Sequence, residues 1–184
     1  MDVGSTFVKY LVSDEVGNVV LDEKVPFPKP FNEIEFIISR SEIDEVIKVI
    51  MKKAAALDCG CAFISVQMHG YILQYQTGEF SDYFSWRSGG GDTESAALKS
   101  IDFSVRGTSL KGNLPIAKLY RLKHELDGTQ FYTLGSYIAY LLTGNNITHK
   151  TDACASGFYN ADGSVAEKNF IKGLSLPNVC DNVE

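Results

Sequence analysis

Met1-Asp2-Val3-Gly4-Ser5-Thr6, running into Phe7-Val8-Lys9-Tyr10-Leu11-Val12, decides how this chain folds. An acidic residue, a glycine and two hydroxyls stand before a β-rich run. Asp14-Glu15-Val16-Gly17-Asn18 then supplies turn chemistry, and Val19-Val20-Leu21 resumes the strand. The pattern predicts an antiparallel hairpin with a phosphate-holding turn. Gly4 lets the backbone approach an anion with no Cβ in the way, Ser5 and Thr6 offer hydroxyl and N–H donors, and Asp2 suits a hydrated Mg2+. Asp2, Gly4, Ser5 and Thr6 are therefore the candidate cofactor-binding residues, with Asp2 the candidate metal ligand.

Outward from the hairpin, Pro26, Pro28 and Pro30 read as an extended connector, since proline cannot donate to a ladder, leading to a third strand over 34–39. Ser41, with Asp44 three residues on, reads as the cap of a helix whose inner face carries Ile43, Val46, Ile47, Ile50 and Ala54. Asp58-Cys59-Gly60 breaks that helix, and Ala62-Phe63-Ile64-Ser65-Val66 reads as a central strand covered on both faces. The expected order is β-β-β-α-β.

With 184 residues, 45% hydrophobic and 22% charged, the chain is long enough for one sizeable core. Seventeen basic residues against twenty-three acidic ones, with no Lys/Arg block, argue against a nucleic-acid groove or an anionic membrane surface. No apolar run reaches the roughly eighteen residues of a membrane span, and the opening has no basic-then-apolar leader, so the expectation is a cytoplasmic protein. Four cysteines and three scattered histidines suggest no metal framework, and the cysteines are expected to be reduced, partly buried thiols.

Directly after the expected central strand, Ser65-Val66-Gln67-Met68-His69-Gly70 resembles the Gly-Gln-Met-His-Gly signature of xylulose-kinase-like members of the FGGY carbohydrate kinases. Tyr83-Phe84-Ser85-Trp86-Arg87 resembles that family's Trp-centred substrate strand. The stretch from Leu134 to Leu142-Thr143-Gly144 resembles its helix ending in Leu-Thr-Gly, and Thr151-Asp152-Ala153-Cys154-Ala155-Ser156-Gly157 its Thr-Asp segment. All four fall in the family's order. The resemblance implies a ribonuclease H-like domain of the actin-like ATPase superfamily, a mixed sheet flanked by helices. It also implies ATP-dependent phosphoryl transfer to a sugar or polyol hydroxyl with Mg2+, and Gln67, Met68, His69, Gly70, Trp86 and Arg87 as substrate-binding residues. Finally, it implies a carboxy-terminal ATPase-like domain that carries the general base beyond Glu184. Residues 1–184 then form one incomplete amino-terminal domain, inactive alone, whose partners are the sugar, the second domain and, in some assemblies, a second copy.

The departures matter. Relatives tend to have Trp-x-Asp-x-Arg where this chain reads Trp86-Arg87-Ser88-Gly89-Gly90-Gly91-Asp92, so sugar specificity does not carry over. Asp82, Asp92, Asp102 and Asp152 are available carboxylates, but each sits at a loop or helix start and reads as a solvated acid or a cap. Helices are expected over 92–98, 114–126, 131–142 and 166–174. A non-catalytic sugar-binding remnant is one alternative. Another is a different ATPase of the superfamily, such as an activator of 2-hydroxyacyl-CoA dehydratases, which the lack of a suitable cysteine pair disfavours.

Overall fold

The computed structural model describes residues 1–166 and 171–180. β1 (Asp2–Val3) turns through Gly4-Ser5-Thr6 into β2 (Phe7–Ser13), which pairs antiparallel with β3 (Val19–Pro26). Asp14 organises the second turn by accepting the backbone N–H groups of Val16 and Asn18. Along β2, Val8, Tyr10 and Val12 are buried while the residues between them face out, the period of two of a sheet covered on one side.

The prolines behave differently from a simple connector. Pro26 closes β3 opposite Phe7, and Pro30 opens β4 (Pro30–Asn32), which pairs with β5 (Ile37–Ile38). Both sit on outer strands, where the missing N–H has no ladder to break. The strand expected over 34–39 shrinks to β5 because the Asn32 side chain accepts the N–H groups of Ile34 and Glu35 and bends the chain. α1 (Arg40–Ala56) follows with Ile43, Ile47 and Ile50 buried, as the 3.6-residue period requires. Its N-cap is Ser39 rather than Ser41, and the distant Asp82 carboxylate accepts the Arg40 N–H at 2.9 Å.

β6 (Ser65–Val66) is not the doubly covered central strand that its apolar run suggested. It pairs parallel with two-residue β1 at the edge of a sheet ordered β3-β2-β1-β6, and Phe63 is 77% exposed. The doubly covered strand is β7 (Tyr71–Gln74): Ile72 packs into the cluster around α1, while Tyr71 and Leu73 belong to a second cluster. β8 (Tyr83–Phe84) pairs with β7 and β5, within the order β4-β5-β8-β7-β9.

The later chain is more broken than its apolar spacing implied. α2 (Ala96–Lys99) starts four residues past Asp92, and a 3₁₀ turn over Phe103–Arg106 follows it. α3 (Pro115–Tyr120) stops at Tyr120, where bonds from Leu122 and Glu125 to carbonyls three residues back replace the helical ladder. The stretch expected as one helix over 131–142 is β9 (Gln130–Thr133) joined to α4 (Leu134–Thr143). The Thr133 hydroxyl accepts the Ser136 N–H and marks the boundary, and Gly144 closes α4 in the left-handed conformation. β10 (Ile147–His149), α5 (Lys150–Ala155) and β11 (Asn178–Cys180) complete the order, with β10 and β11 paired parallel. The helix expected over 166–174 lies partly outside the described residues. Among the described residues no helix is long and apolar enough to cross a membrane.

Gly70, at the start of β7, is held to glycine by packing. An added Cβ would fall onto the hydroxyl of Tyr83, whose ring is fully buried. Gly70→Ala is expected to cost about 1–3 kcal/mol of stability as overpacking. Adding Tyr83→Phe should recover part of it, because the Tyr83 hydroxyl has no hydrogen-bond partner among the described residues. Thermal melts of the two variants and the parent check this.

Candidate functional site

The parallel pairing Asp2↔Ser65 and Val3↔Val66 sets the segments after β1 and β6 side by side at the carboxyl ends of two neighbouring strands. In α/β sheets ligands collect there. A cavity of about 620 Å3 lies at this end, lined by Ser5, Thr6, Gln67, Ser85 and Arg87 on its polar side and by Phe7, Phe27 and Phe36 on its apolar side. Pro26, Pro28 and Pro30 stiffen one wall, with Lys29 and Glu33 on it. Four residues singled out from three separate stretches of sequence, Ser5, Thr6, Gln67 and Arg87, thus share one pocket.

Gln67 is the most telling of them. Both atoms of its amide are buried and neither has a hydrogen-bond partner among the described residues. Burying an unsatisfied amide costs about 1–3 kcal/mol, so its persistence at a cavity wall fits a group waiting for a ligand.

The other expected residues fall around the cavity rather than in its lining. Asp2 is exposed, and its register places it beside Lys9 and Ser65 on the outer face of the sheet. Gly4 closes the hairpin turn by donating its N–H to the Phe7 carbonyl at 3.1 Å. Met68 is 51% exposed, and Trp86 is 39% exposed on a turn. Gly70 faces Tyr83, as above.

His69 carries backbone strain, with φ at 65°, and its Nδ1 lies 2.7 Å from the Ala155 carbonyl at the end of α5. A carbonyl only accepts, so Nδ1 carries the proton and Nε2 is left as the acceptor of the neutral ring. Left-handed backbone at a non-glycine residue costs about 1–3 kcal/mol and clusters at ligand sites.

Of the four aspartates read as solvated acids or caps, three accept backbone N–H groups at a turn or helix start. Asp82 caps α1, Asp92 accepts the N–H groups of Glu94 and Ser95, and Asp102 accepts that of Ser104. Asp152 differs: it lies half-buried against Gly135 at the start of α4 and accepts from the Thr148 hydroxyl at 3.3 Å. Burial pushes its carboxyl above the usual range, opposed by bonds from Thr133 and Thr148 and by the nearby imidazoles of His69 and His149. Lys118 on α3 was also unexpected. It is buried, donates to the Ser85 carbonyl at 3.0 Å, and burial pushes its ammonium down to about 8. The signal for Lys118 was its place among apolar residues on a short helix; nothing in the sequence marked Asp152 as drawn in against α4.

Among the described residues no group of three or more His, Cys, Asp or Glu could hold a metal ion. A magnesium ion needs less when phosphates and water complete its shell, and the exposed Asp2 carboxylate, on the strand that leads into the Ser5-Thr6 turn, is an acid this end of the sheet offers one. Cys59 and Cys61 are exposed, against the expectation of partly buried thiols, because the loop after α1 has no covering element; Cys154 and Cys180 are half-buried, and all four are free.

The fold is the ribonuclease H-like, actin-like ATPase fold found in carbohydrate kinases. Among solved structures the chain is similar to a ligand-bound xylulose kinase from Lactobacillus acidophilus, with TM-score 0.75 and 22% identity over 98% of this chain and 41% of that one. A gluconate kinase from the same organism matches with TM-score 0.73, 22% identity, and 98% and 41% coverage. Plasmodium falciparum glycerol kinase with ADP matches with TM-score 0.75, 14% identity, and 100% and 42% coverage. The chain thus spans about two fifths of the length of these proteins. No family model and no curated protein sequence matches it.

Asp152 gives a pH signature. A carboxyl whose folded pKa lies above its unfolded value binds its proton more tightly when folded, so its contribution to stability falls as pH rises through the folded value. Asp152→Asn is therefore expected to gain stability relative to the parent from about pH 4 upward, then level off. Urea midpoints of both proteins from acid to mildly alkaline pH check this, and a constant offset at every pH would contradict it.

Proposed function

We propose that the chain is the sugar-binding, amino-terminal part of an ATP-dependent carbohydrate kinase. The observation that carries the reading is the shared cavity, with the Gly4-Ser5-Thr6 turn and the unpartnered Gln67 amide following paired parallel strands. Phosphoryl transfer to a hydroxyl needs held phosphates, a positioned acceptor and a group that takes the proton. The hairpin donors serve the first need, with Asp2 holding Mg2+, which neutralises charge on the phosphates when bound. Gln67 and the free Nε2 of His69 serve the second by accepting from and donating to sugar hydroxyls.

The proton acceptor belongs, in this reading, to a second domain. Glu33 is the carboxylate lining the cavity among the described residues, and it is exposed on a turn. The second reading, a non-catalytic sugar-binding remnant, draws on Ser88 standing where relatives have an acid near Trp86.

Two variants in the full-length protein test the first reading. Asp2→Ala is expected to lower kcat by about 100-fold or more, with sugar binding largely kept, since the acceptor is held by separate residues. Near-parent kcat measured with ATP, Mg2+ and a panel of pentoses, hexoses and polyols would remove the hairpin from the mechanism. Gln67→Leu is expected to keep or raise the melting temperature while weakening sugar binding about tenfold, because it removes a buried unpaired amide that only the ligand satisfies. A lower melting temperature with unchanged sugar affinity would make Gln67 structural.

A further inference from the structure

Arg87 lines the same cavity as Ser5, Thr6 and Gln67, and its guanidinium lies 4.4 Å above the Phe36 ring. A guanidinium held over a ring face by cation–π attraction keeps N–H donors that can still reach a ligand. Among the described residues no carboxylate stands within ion-pair distance of it, and its hydrogen bond is the backbone one from its N–H to Ser85 Oγ. The platform is built rather than casual. Phe36 is held at φ 50°, which a bulky side chain rarely adopts, and its carbonyl accepts the Ser85 N–H at 3.2 Å. The Ser85 carbonyl is in turn held by Lys118, so the segment before the arginine is pinned from both sides.

The charge of the lining points the same way. Lys29 and Arg87 face one carboxylate, Glu33. The residue after Arg87 is a buried serine, so no local acid neutralises the fork.

We propose that the acceptor pocket takes a sugar acid, a polyhydroxy carboxylate such as an aldonate, whose carboxylate is gripped by the Arg87 fork while Gln67 meets its hydroxyls. This rests on the carbohydrate-kinase reading and sharpens its substrate class. Guanidinium and carboxylate match as a two-point, charge-assisted pair, which orients an otherwise flexible chain of hydroxyls. The cavity is within the usual range for small-molecule sites and exceeds the size of a six-carbon acid.

Calorimetric titration of the full-length protein tests this, using gluconate and xylonate against glucitol and xylitol, with inorganic phosphate as a separate arm. Each acid is expected to bind at least tenfold tighter than its alditol. Arg87→Gln should cost the acid at least tenfold more affinity than the alditol, and Arg87→Lys should restore part of that difference. Melting curves of both variants verify folding, which an exposed turn residue should not disturb. Acid and alditol bound equally would overturn the sugar-acid proposal and leave the kinase reading standing. Phosphate binding that depends on Arg87, without acid preference, would overturn it in favour of a phosphate contact. Binding of no acid, alditol or phosphate would overturn both.

Discussion

Two rungs of parallel pairing, Asp2 with Ser65 and Val3 with Val66, carry the geometry of the site. Parallel neighbours need a long crossover, supplied here by β2 to β5 and α1, and the reward is that both strands end at the same edge. The hairpin turn leaves from one strand and the Gln67-Met68-His69 segment from the other. Backbone bonds from Ser65 to Met1 and from Gln67 to Val3 extend the ladder to the last residue before the cavity. A slip of one residue would exchange exposed Asp2 with buried Val3 and dismantle core and site together.

Around that pairing the interior keeps several polar side chains, and their partners tell them apart. Lys118 is satisfied by a carbonyl and holds a loop in place, while Asp152 is satisfied by threonine hydroxyls and fills the start of α4. Arg40, Asp44 and Tyr137 form a closed triangle that ties α1 to α4. Gln67 differs from all of these because its buried amide has no partner among the described residues.

How much of this the sequence revealed follows from the range of the interactions involved. The hairpin, the inner face of α1 and the stop at Gly144 were legible because alternation, 3.6-residue spacing and turn residues are local. The boundary between β9 and α4 was hidden by a run apolar on every side. β6 was expected at the centre and lies at an edge because an apolar pentapeptide looks the same at a sheet edge as in its middle. Of the motif residues, Ser5, Thr6, Gln67 and Arg87 line the cavity, but its second wall comes from Phe27 and Pro28, in a stretch that had read only as a connector, and from Phe36, in the expected third strand. Asp82 as the cap of α1 and Asp152 as a half-buried acid depend on elements far away in sequence, beyond the reach of local spacing.

The contact between Gly70 and Tyr83 bears on how such motifs should be used. A glycine inside a sugar-site signature invites the conclusion that the ligand demands it, yet here a buried tyrosine demands it first. Positions 70 and 83 are therefore expected to drift as a pair across related chains, large at one only where small at the other. A lineage that had abandoned its substrate would still keep the glycine for as long as it kept the tyrosine. Survival of that letter reports an intact fold, whereas a residue such as Gln67, whose buried amide no described neighbour satisfies, is not held in place by the fold in this way.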